Sequence, residues 1–331
     1  MNHSPSGLLF LSKAIPGFIN YKTAEGLALR TIDSHERLLN KWLEHIGDQQ
    51  INKITAQDVV AYLSWLRNEY TPRRYNGKTH PLSPKSLRNV WVTLSSFYSW
   101  AARELGVSQI MKSVPAPRIN KTPIEPLTQE EVERMLKACL NSREARTSNR
   151  KSFTMRLRFS HRDQAIILTL IDTGLRAMEL CKLLIGNIDL KTGRVEVKHG
   201  VIGGAKGGKG RTVYLGKTTR KALWRYLVDR EDAEDTDAPV FLDQHSQHFN
   251  PNSLRQLIKD IADRAGVKGA YPHKFRHTFA ITYLRSGGDI FTLQSLLGHS
   301  SLEMVRHYAQ IAEIDVAQAH HKASPADNWR L

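Results

Sequence analysis

Residues able to handle phosphate recur in five separated segments of the chain. They are Thr173-Gly174-Leu175-Arg176-Ala177-Met178-Glu179-Leu180, the turn around Lys206, Pro272-His273-Lys274-Phe275-Arg276-His277, Leu297-Gly298-His299-Ser300 and Val305-Arg306-His307-Tyr308. A phosphodiester under attack gathers negative charge on its two non-bridging oxygens, and a cation must already be in place there. Arg176 and Arg276 are planar, permanently charged forks that match phosphate geometry. The set therefore reads as phosphoryl transfer without a metal. Taken singly, the residues also have plainer roles. Arg176 fits a helix cap after Gly174, Tyr308 fits a half-buried helix tyrosine, and Lys198 and Lys209 share the hairpin with Lys206. His277 and His307 flank the motif positions and read as groups on a helix surface or behind the site.

Three weaker signals point elsewhere. Gly203 to Lys209 satisfies the first seven positions of a phosphate-binding P-loop, but the eighth is Gly210 where Ser or Thr must hold magnesium. That run also joins two strands, whereas a P-loop feeds a helix N-terminus, so nucleotide hydrolysis is not expected. His273 and His277 have a zinc-compatible spacing, yet no Glu follows His273, and Lys274 and Arg276 would repel a cation. No metal site is expected. Asp289 to Tyr308, with Gly298 at its turn, has the outline of a helix-turn-helix and keeps a DNA-binding regulator as a rival.

The five segments, in this order and spacing, resemble the tyrosine recombinases of the phage integrase family over most of residues 127–310. The resemblance implies a clamp of Arg176 and Arg276 on the scissile phosphate, with His273 assisting proton handling and His299 donating a hydrogen bond to the phosphate. Tyr308, nine residues after His299, would attack and form a 3′-phosphotyrosyl bond. Lys206 would protonate the leaving 5′ oxygen, the family pattern favouring it over Lys209. Glu179 matches an acidic family position and is expected to orient its basic neighbours. The implied activity is site-specific cleavage and rejoining of duplex DNA, as in DNA integration by mobile elements, with no cofactor, metal or ATP. A relaxing enzyme of type IB and a catalytically idle DNA-binding factor of the same fold are the alternatives. The implied partners are double-stranded DNA and the protein itself, as a tetramer on synapsed DNA, with room for accessory DNA-bending proteins.

Positioning such a site requires a particular set of elements. In the first third, Ile32, Leu38, Leu39, Trp42, Leu43 and Ile46 recur at helical spacing. Thr55 to Asp58 caps a second helix through Val59, Val60, Leu63 and Leu66. A third opens at Ser83-Pro84 and stops at Gly106. Residues 1–111 thus read as a helical DNA-binding module, the family's core-binding domain. Thr71 to Leu82 is expected to be an exposed basic connection. Pro115, Pro117, Pro123 and Pro126 make 112–126 an extended linker, expected to follow a phosphate backbone. Residues 127–331 form the catalytic domain, opened by a Thr128–Glu131 capping box. In it, Asn141 to Arg158 reads as a polar loop, Ile166 to Ile171 as a buried helix stopped by Gly174, and Arg194 to Ile202 and Arg211 to Leu215 as paired strands. Pro239 to Leu242 is a candidate third strand, and the chain is helical from Pro251 to about Lys322. The fold class is mainly α with a small antiparallel β-sheet, in the two-domain tyrosine recombinase architecture. A tail from about residue 310, apolar at Ile311, Ile314, Val316 and Ala317 and ending in Pro325 and Trp329, would dock on a neighbouring protomer or fold back on its own domain.

Charge supports this frame. Lys plus Arg number 48 against 32 Asp plus Glu, a formal net charge of +16 that calls for a polyanionic partner. Candidate DNA contacts are Arg73, Arg74, Lys85, Arg88, Lys112, Arg118, Lys121, Lys209 and Lys274, with the two domains closing as a basic C-shaped clamp. Two cysteines, Cys139 and Cys181, exclude a disulfide framework and a Cys-based zinc ribbon. The apolar run Leu8 to Leu11 is too short to span a membrane, so a cytoplasmic protein is expected.

Overall fold

The structure, a computed structural model, describes residues 9–72, 79–119, 125–142, 145–147, 150–198, 210–299 and 301–312, together with 324, 326 and 329. The chain divides into two compact units, Met1–Thr122 and Pro123–Leu331.

The first unit packs helices α1 (Leu11–Ala24), α2 (Leu29–Ile46), α3 (Ala56–Asn68) and α4 (Pro84–Leu105). Its core is aromatic: Phe18, Trp42, Tyr62, Phe97 and Tyr98 are all fully buried. The Trp42 indole donates to the Tyr98 hydroxyl at 3.3 Å, so burial of those polar tips is partly compensated. The caps are those read from the sequence. Thr55 and Asp58 form a reciprocal box, Ser83 accepts from the Ser86 amide, and Gly106 ends α4 in the left-handed region. Helix α1 is the element the sequence reading missed. Leu11, Ala14, Ile15 and Phe18 have helical spacing and are buried, but Pro16 and Gly17 interrupt the pattern. Gly17 is needed small, since a Cβ there would meet the Trp100 ring at 3.3 Å. The stretch expected to begin an extended linker packs on α4 instead. Met111 and Val114 are buried in this unit's core, the Trp91 indole donates to the Val114 carbonyl at 3.1 Å, and Arg88 donates to the Pro117 carbonyl at 3.1 Å.

The second unit is built round α6 (Ser160–Thr173), whose Ala165, Ile166, Ile167 and Leu170 are fully buried. Against it lie α5 (Gln129–Ala138), α8 (Lys217–Leu227) and α10 (Pro272–Arg285), with α9 (Pro251–Ala265) packed on α5. Strands β3 (Arg194–Val197) and β4 (Arg211–Tyr214) pair antiparallel, with Val197 opposite Arg211. A second apolar cluster unites α10 with α11 (Ile290–Leu297) and α12 (Glu303–Ala312), and Tyr308 belongs to it.

Two expectations for this unit are corrected. The Asn141 to Arg158 insert contains a short antiparallel pair, β1 (Ala145–Thr147) with β2 (Arg150–Phe153). Pro239 to Leu242 is not a third strand. It makes only isolated bridges, Pro239 to Leu184 and Leu242 to His248, and its carbonyls at Pro239 and Val240 accept from the Arg230 guanidinium at 2.9 and 2.6 Å. Proline has no N–H to offer a ladder, and those carbonyls are already spent.

Gly174 controls the turn after α6. Its φ is 61°, and a Cβ would stand 2.5 Å from the Phe279 ring of α10. Gly266 has a similar φ of 64° with nothing within 4 Å. Gly266→Ala should therefore cost only the backbone strain, ~1 kcal/mol. Gly174→Ala adds overpacking and should cost ~2–4 kcal/mol. Urea midpoints of the two variants check this; equal losses would mean that the Phe279 contact yields freely.

Candidate active site

Among the second unit's helices that end in left-handed glycines, two bring carbonyls from their ends to one guanidinium. Helix α6 stops at Gly174 and α11 at Gly298. Arg276, on α10 and only 1% exposed, donates from Nη1 to the Gly174 carbonyl at 2.9 Å and from Nη2 to the Leu297 carbonyl at 2.7 Å. Its Nη2 also lies 2.7 Å from His299 Nε2. Arginine can only donate, so His299 Nε2 accepts and the neutral ring carries its proton on Nδ1. That Nδ1, like Arg276 Nε, is buried without a hydrogen-bond partner among the described residues.

Arg176 stands at the head of the short helix α7 (Ala177–Cys181), at its N-cap position. Its amide donates to Glu179 at 2.8 Å, the carboxylate half of a capping box, and its guanidinium Nη1 donates to the other Glu179 oxygen at 2.8 Å. About a third of the Arg176 side chain stays exposed. Glu179 is gripped again from β4: Arg211 donates to both carboxylate oxygens, at 2.8 and 2.7 Å, and from Nε to the Leu296 carbonyl at 2.7 Å. Arg211 is the residue the sequence reading missed here. Its signal, a basic residue opening a strand, gains meaning only through a contact with Glu179 across 32 positions.

Tyr308, 5% exposed, places its ring nearly parallel to His299, with 6.3 Å between centroids. Its hydroxyl is 2.9 Å from Nδ1 of His277, whose ring packs edge-on against His273 at 4.3 Å. His277 is thus no surface group; the helix turns it toward α12. Arg176, Glu179, His273, Arg276, His299 and Tyr308 are all drawn into this chain of contacts. Lys206 and Lys209 lie outside the described residues, as do Arg73, Arg74 and Lys121. Strand β4 begins at Arg211, bonded into the cluster. Lys85, Lys112 and Arg118 are exposed in the first unit; Lys274 and Arg88 are half-buried. Among the described residues no group of three or more His, Cys, Asp or Glu side chains is placed to hold a metal ion. No helix among them is long and apolar enough to cross a membrane.

The protonation states follow from burial and charge. Burial, then the positive charges of Arg176 and Arg211, pull Arg276 down to about 10, which leaves it charged at neutral pH. Burial and neighbouring cations push His299 and His277 down to about 4, so both are neutral. Burial raises the Tyr308 hydroxyl against the opposing pull of Arg276 and Arg176. Burial would also raise Glu179, but Arg211 and the two bonds from Arg176 outweigh it and hold the carboxyl down to about 2.

A depressed carboxyl adds stability above its unfolded value and loses it as pH falls through the folded value. For Glu179 the window runs from about 4.5 down to about 2. The contribution at neutral pH is about 3 kcal/mol. Glu179→Gln should lose stability at neutral pH and flatten the acid limb of a plot of urea-unfolding free energy against pH. An unchanged limb would show that the carboxylate is not held by the two arginines.

Comparison with known proteins agrees with this geometry. Residues 125–314 match the profile of the phage integrase family, and residues 15–105 match the phage integrase N-terminal SAM-like domain. The chain is 27% identical over 321 residues to tyrosine recombinase XerA of Pyrococcus furiosus, covering 96% of each chain. It is also 27% identical over 327 residues to tyrosine recombinase XerD of Listeria innocua, covering 95% of this chain and 99% of that one. Among solved structures, the Tn1549 transposon integrase in complex with transposon right end DNA has a similar fold. The TM-score is 0.72 at 18% identity, over 91% of this chain and 94% of that one. The XerH site-specific recombinase bound to its palindromic difH substrate gives 0.65 at 20% identity, over 96% and 85%. With its catalytic-unit profile matched over more than half of its length, the chain belongs to the phage integrase family.

Proposed function

We propose that this protein is a site-specific DNA recombinase that cleaves and rejoins duplex DNA through a covalent 3′-phosphotyrosyl intermediate. The observation that carries the reading is the placing of a buried tyrosine hydroxyl beside a cluster with three guanidiniums, Arg176, Arg211 and Arg276, against one carboxylate, Glu179. Such an excess of fixed positive charge suits a phosphate under attack. The buried Nδ1–H of His299 and Nε–H of Arg276 lack protein acceptors, and an unmade buried hydrogen bond costs about 1–3 kcal/mol. Phosphate oxygens are acceptors of the right kind. Arg176 and Arg276 clamp the scissile phosphate, Glu179 and Arg211 fix Arg176, His299 donates to the phosphate, and His273 assists proton handling.

In the reaction, Tyr308 Oη forms a bond to phosphorus as the bond from phosphorus to the 5′ oxygen breaks. Lys206 supplies the proton that the leaving oxygen needs. The phosphotyrosyl link conserves the energy of the broken bond, so a 5′-hydroxyl from another strand can reverse the step without ATP. Family membership favours exchange between strands over simple relaxation. The residues around 112–126 connect a DNA-binding first unit to the catalytic second unit. The relatives' complexes with DNA support double-stranded DNA as partner. The proposal adds a tetramer of this chain on synapsed sites and a cytoplasmic setting.

Tyr308→Phe removes only the attacking oxygen. It should abolish denaturant-resistant protein–DNA adducts while leaving duplex binding intact in a gel-shift assay; adducts at the wild-type rate would sink the assignment. Lys206→Ala should cleave slowly on a natural 5′ oxygen by ~10²-fold or more and recover on a 5′-bridging sulfur, because a thiolate leaves without a proton. Lys209→Ala should weaken binding with no sulfur rescue. The reverse pattern would exchange the two lysines' roles.

A further inference from the structure

Tyr308 is held by a histidine outside the set assigned to the phosphate. Helix α10 turns His277 inward, half-buried, toward α12. Its Nδ1 lies 2.9 Å from the Tyr308 hydroxyl, with the ring centroids 5.5 Å apart. The contact is made at the atom that must become the nucleophile. A buried phenol is a weak nucleophile while it keeps its proton, and burial raises this one further. A neutral imidazole at hydrogen-bond distance has the geometry required of a general base.

We propose that His277 is a catalytic residue of strand cleavage: its unprotonated Nδ1 accepts the hydrogen bond of the Tyr308 hydroxyl, fixes that oxygen, and takes up the phenolic proton as Tyr308 attacks. The inference rests on Tyr308 being the nucleophile, as proposed above. The step balances within the chain. The Oη–H bond breaks with its proton passing to Nδ1, the Oη–phosphorus bond forms, the phosphorus–O5′ bond breaks, and Lys206 returns a proton to the leaving oxygen. Rejoining runs both transfers backward.

The surroundings couple this proton uptake to substrate. His273 and Arg276 on its own helix and His307 from α12 face His277 and, with burial, disfavour its protonation, so it waits neutral with Nδ1 free to accept. A phosphodiester seated at Arg276 brings negative charge that offsets those cations and raises the affinity of His277 for a proton. The base thereby gains strength when there is a phosphate to attack.

The test uses full-length wild type, Tyr308→Phe, His277→Ala and His277→Asn. A randomised pool of nicked duplexes, in which the released fragment diffuses away, is incubated with wild type, and the sequences recovered as adducts then serve in single-turnover assays across pH. Asparagine can keep a hydrogen bond to the hydroxyl but cannot take its proton, which separates base from brace. His277→Ala should slow adduct formation by ~10²-fold or more with duplex binding retained, and added imidazole should restore part of the rate. His277→Asn should remain slow, its rate climbing with pH where wild type is level. A nitrogen-15 spectrum of the free protein should show Nδ1 of His277 as the unprotonated nitrogen. Wild-type rates and pH profile in His277→Asn, or a proton on Nδ1, would overturn the proposal while Tyr308 stays the nucleophile. Absence of adducts from wild type, as from Tyr308→Phe, would overturn the cleavage reading and this proposal with it.

Discussion

The second unit depends on one buried cation. Taking the Arg276 guanidinium out of water is costly, and the structure offsets that cost with two helix ends rather than with a carboxylate in direct contact. The carbonyls of Gly174, capping α6, and of Leu297, ending α11, have no partners within their own helices, and the C-terminal end of a helix carries partial negative charge. Both point at Arg276 because both helices end on left-handed glycines, Gly174 and Gly298. This arrangement leaves the charge of Arg276 only partly balanced. A directly paired carboxylate would have neutralised it; carbonyl dipoles hold it in place and keep it available to an anion.

Glu179 supports the neighbouring charges in a different way. It balances one arginine's worth of charge while touching two, so Arg176 and Arg211 are fixed in direction and the cluster stays positive. Arg211 also ties β4 to the carbonyl of Leu296, close in sequence to His299. Segments far apart in sequence are thereby set by a few charged hydrogen bonds. The histidines respond to the same field. Arg276 disfavours a proton on either ring, so His299 and His277 are neutral groups able to donate at one nitrogen and accept at the other.

Much of this was legible in the sequence because local chemistry sets it. The Thr55–Asp58 and Thr128–Glu131 boxes, Pro84 at a helix start and the stops at Gly106 and Gly174 depend on neighbours within one helical turn. The motif segments around Arg176, Arg276, His299 and Tyr308 were visible through residue type and order. What was hidden depends on tertiary contacts. Helix α1 tolerates Pro16 and Gly17 because its apolar stripe is buried against Trp100 and its neighbours. Pro239 to Leu242 looks like a strand until Arg230 is seen to occupy its carbonyls. Arg211 lies in no motif and His277 only at the edge of one; their partners come from β4 meeting α7 and from α10 meeting α12.

In the proposed reaction this positive cluster directs the Tyr308 oxygen onto a DNA phosphate. The most direct test is the chemistry of the covalent bond. An adduct formed on nicked duplex would be denatured and digested, and the peptide that retains nucleotide identified by mass spectrometry. The expected result is a nucleotide joined through its 3′ phosphate to Tyr308. A phosphate on any other residue, or a link through the 5′ end of the DNA, would contradict it.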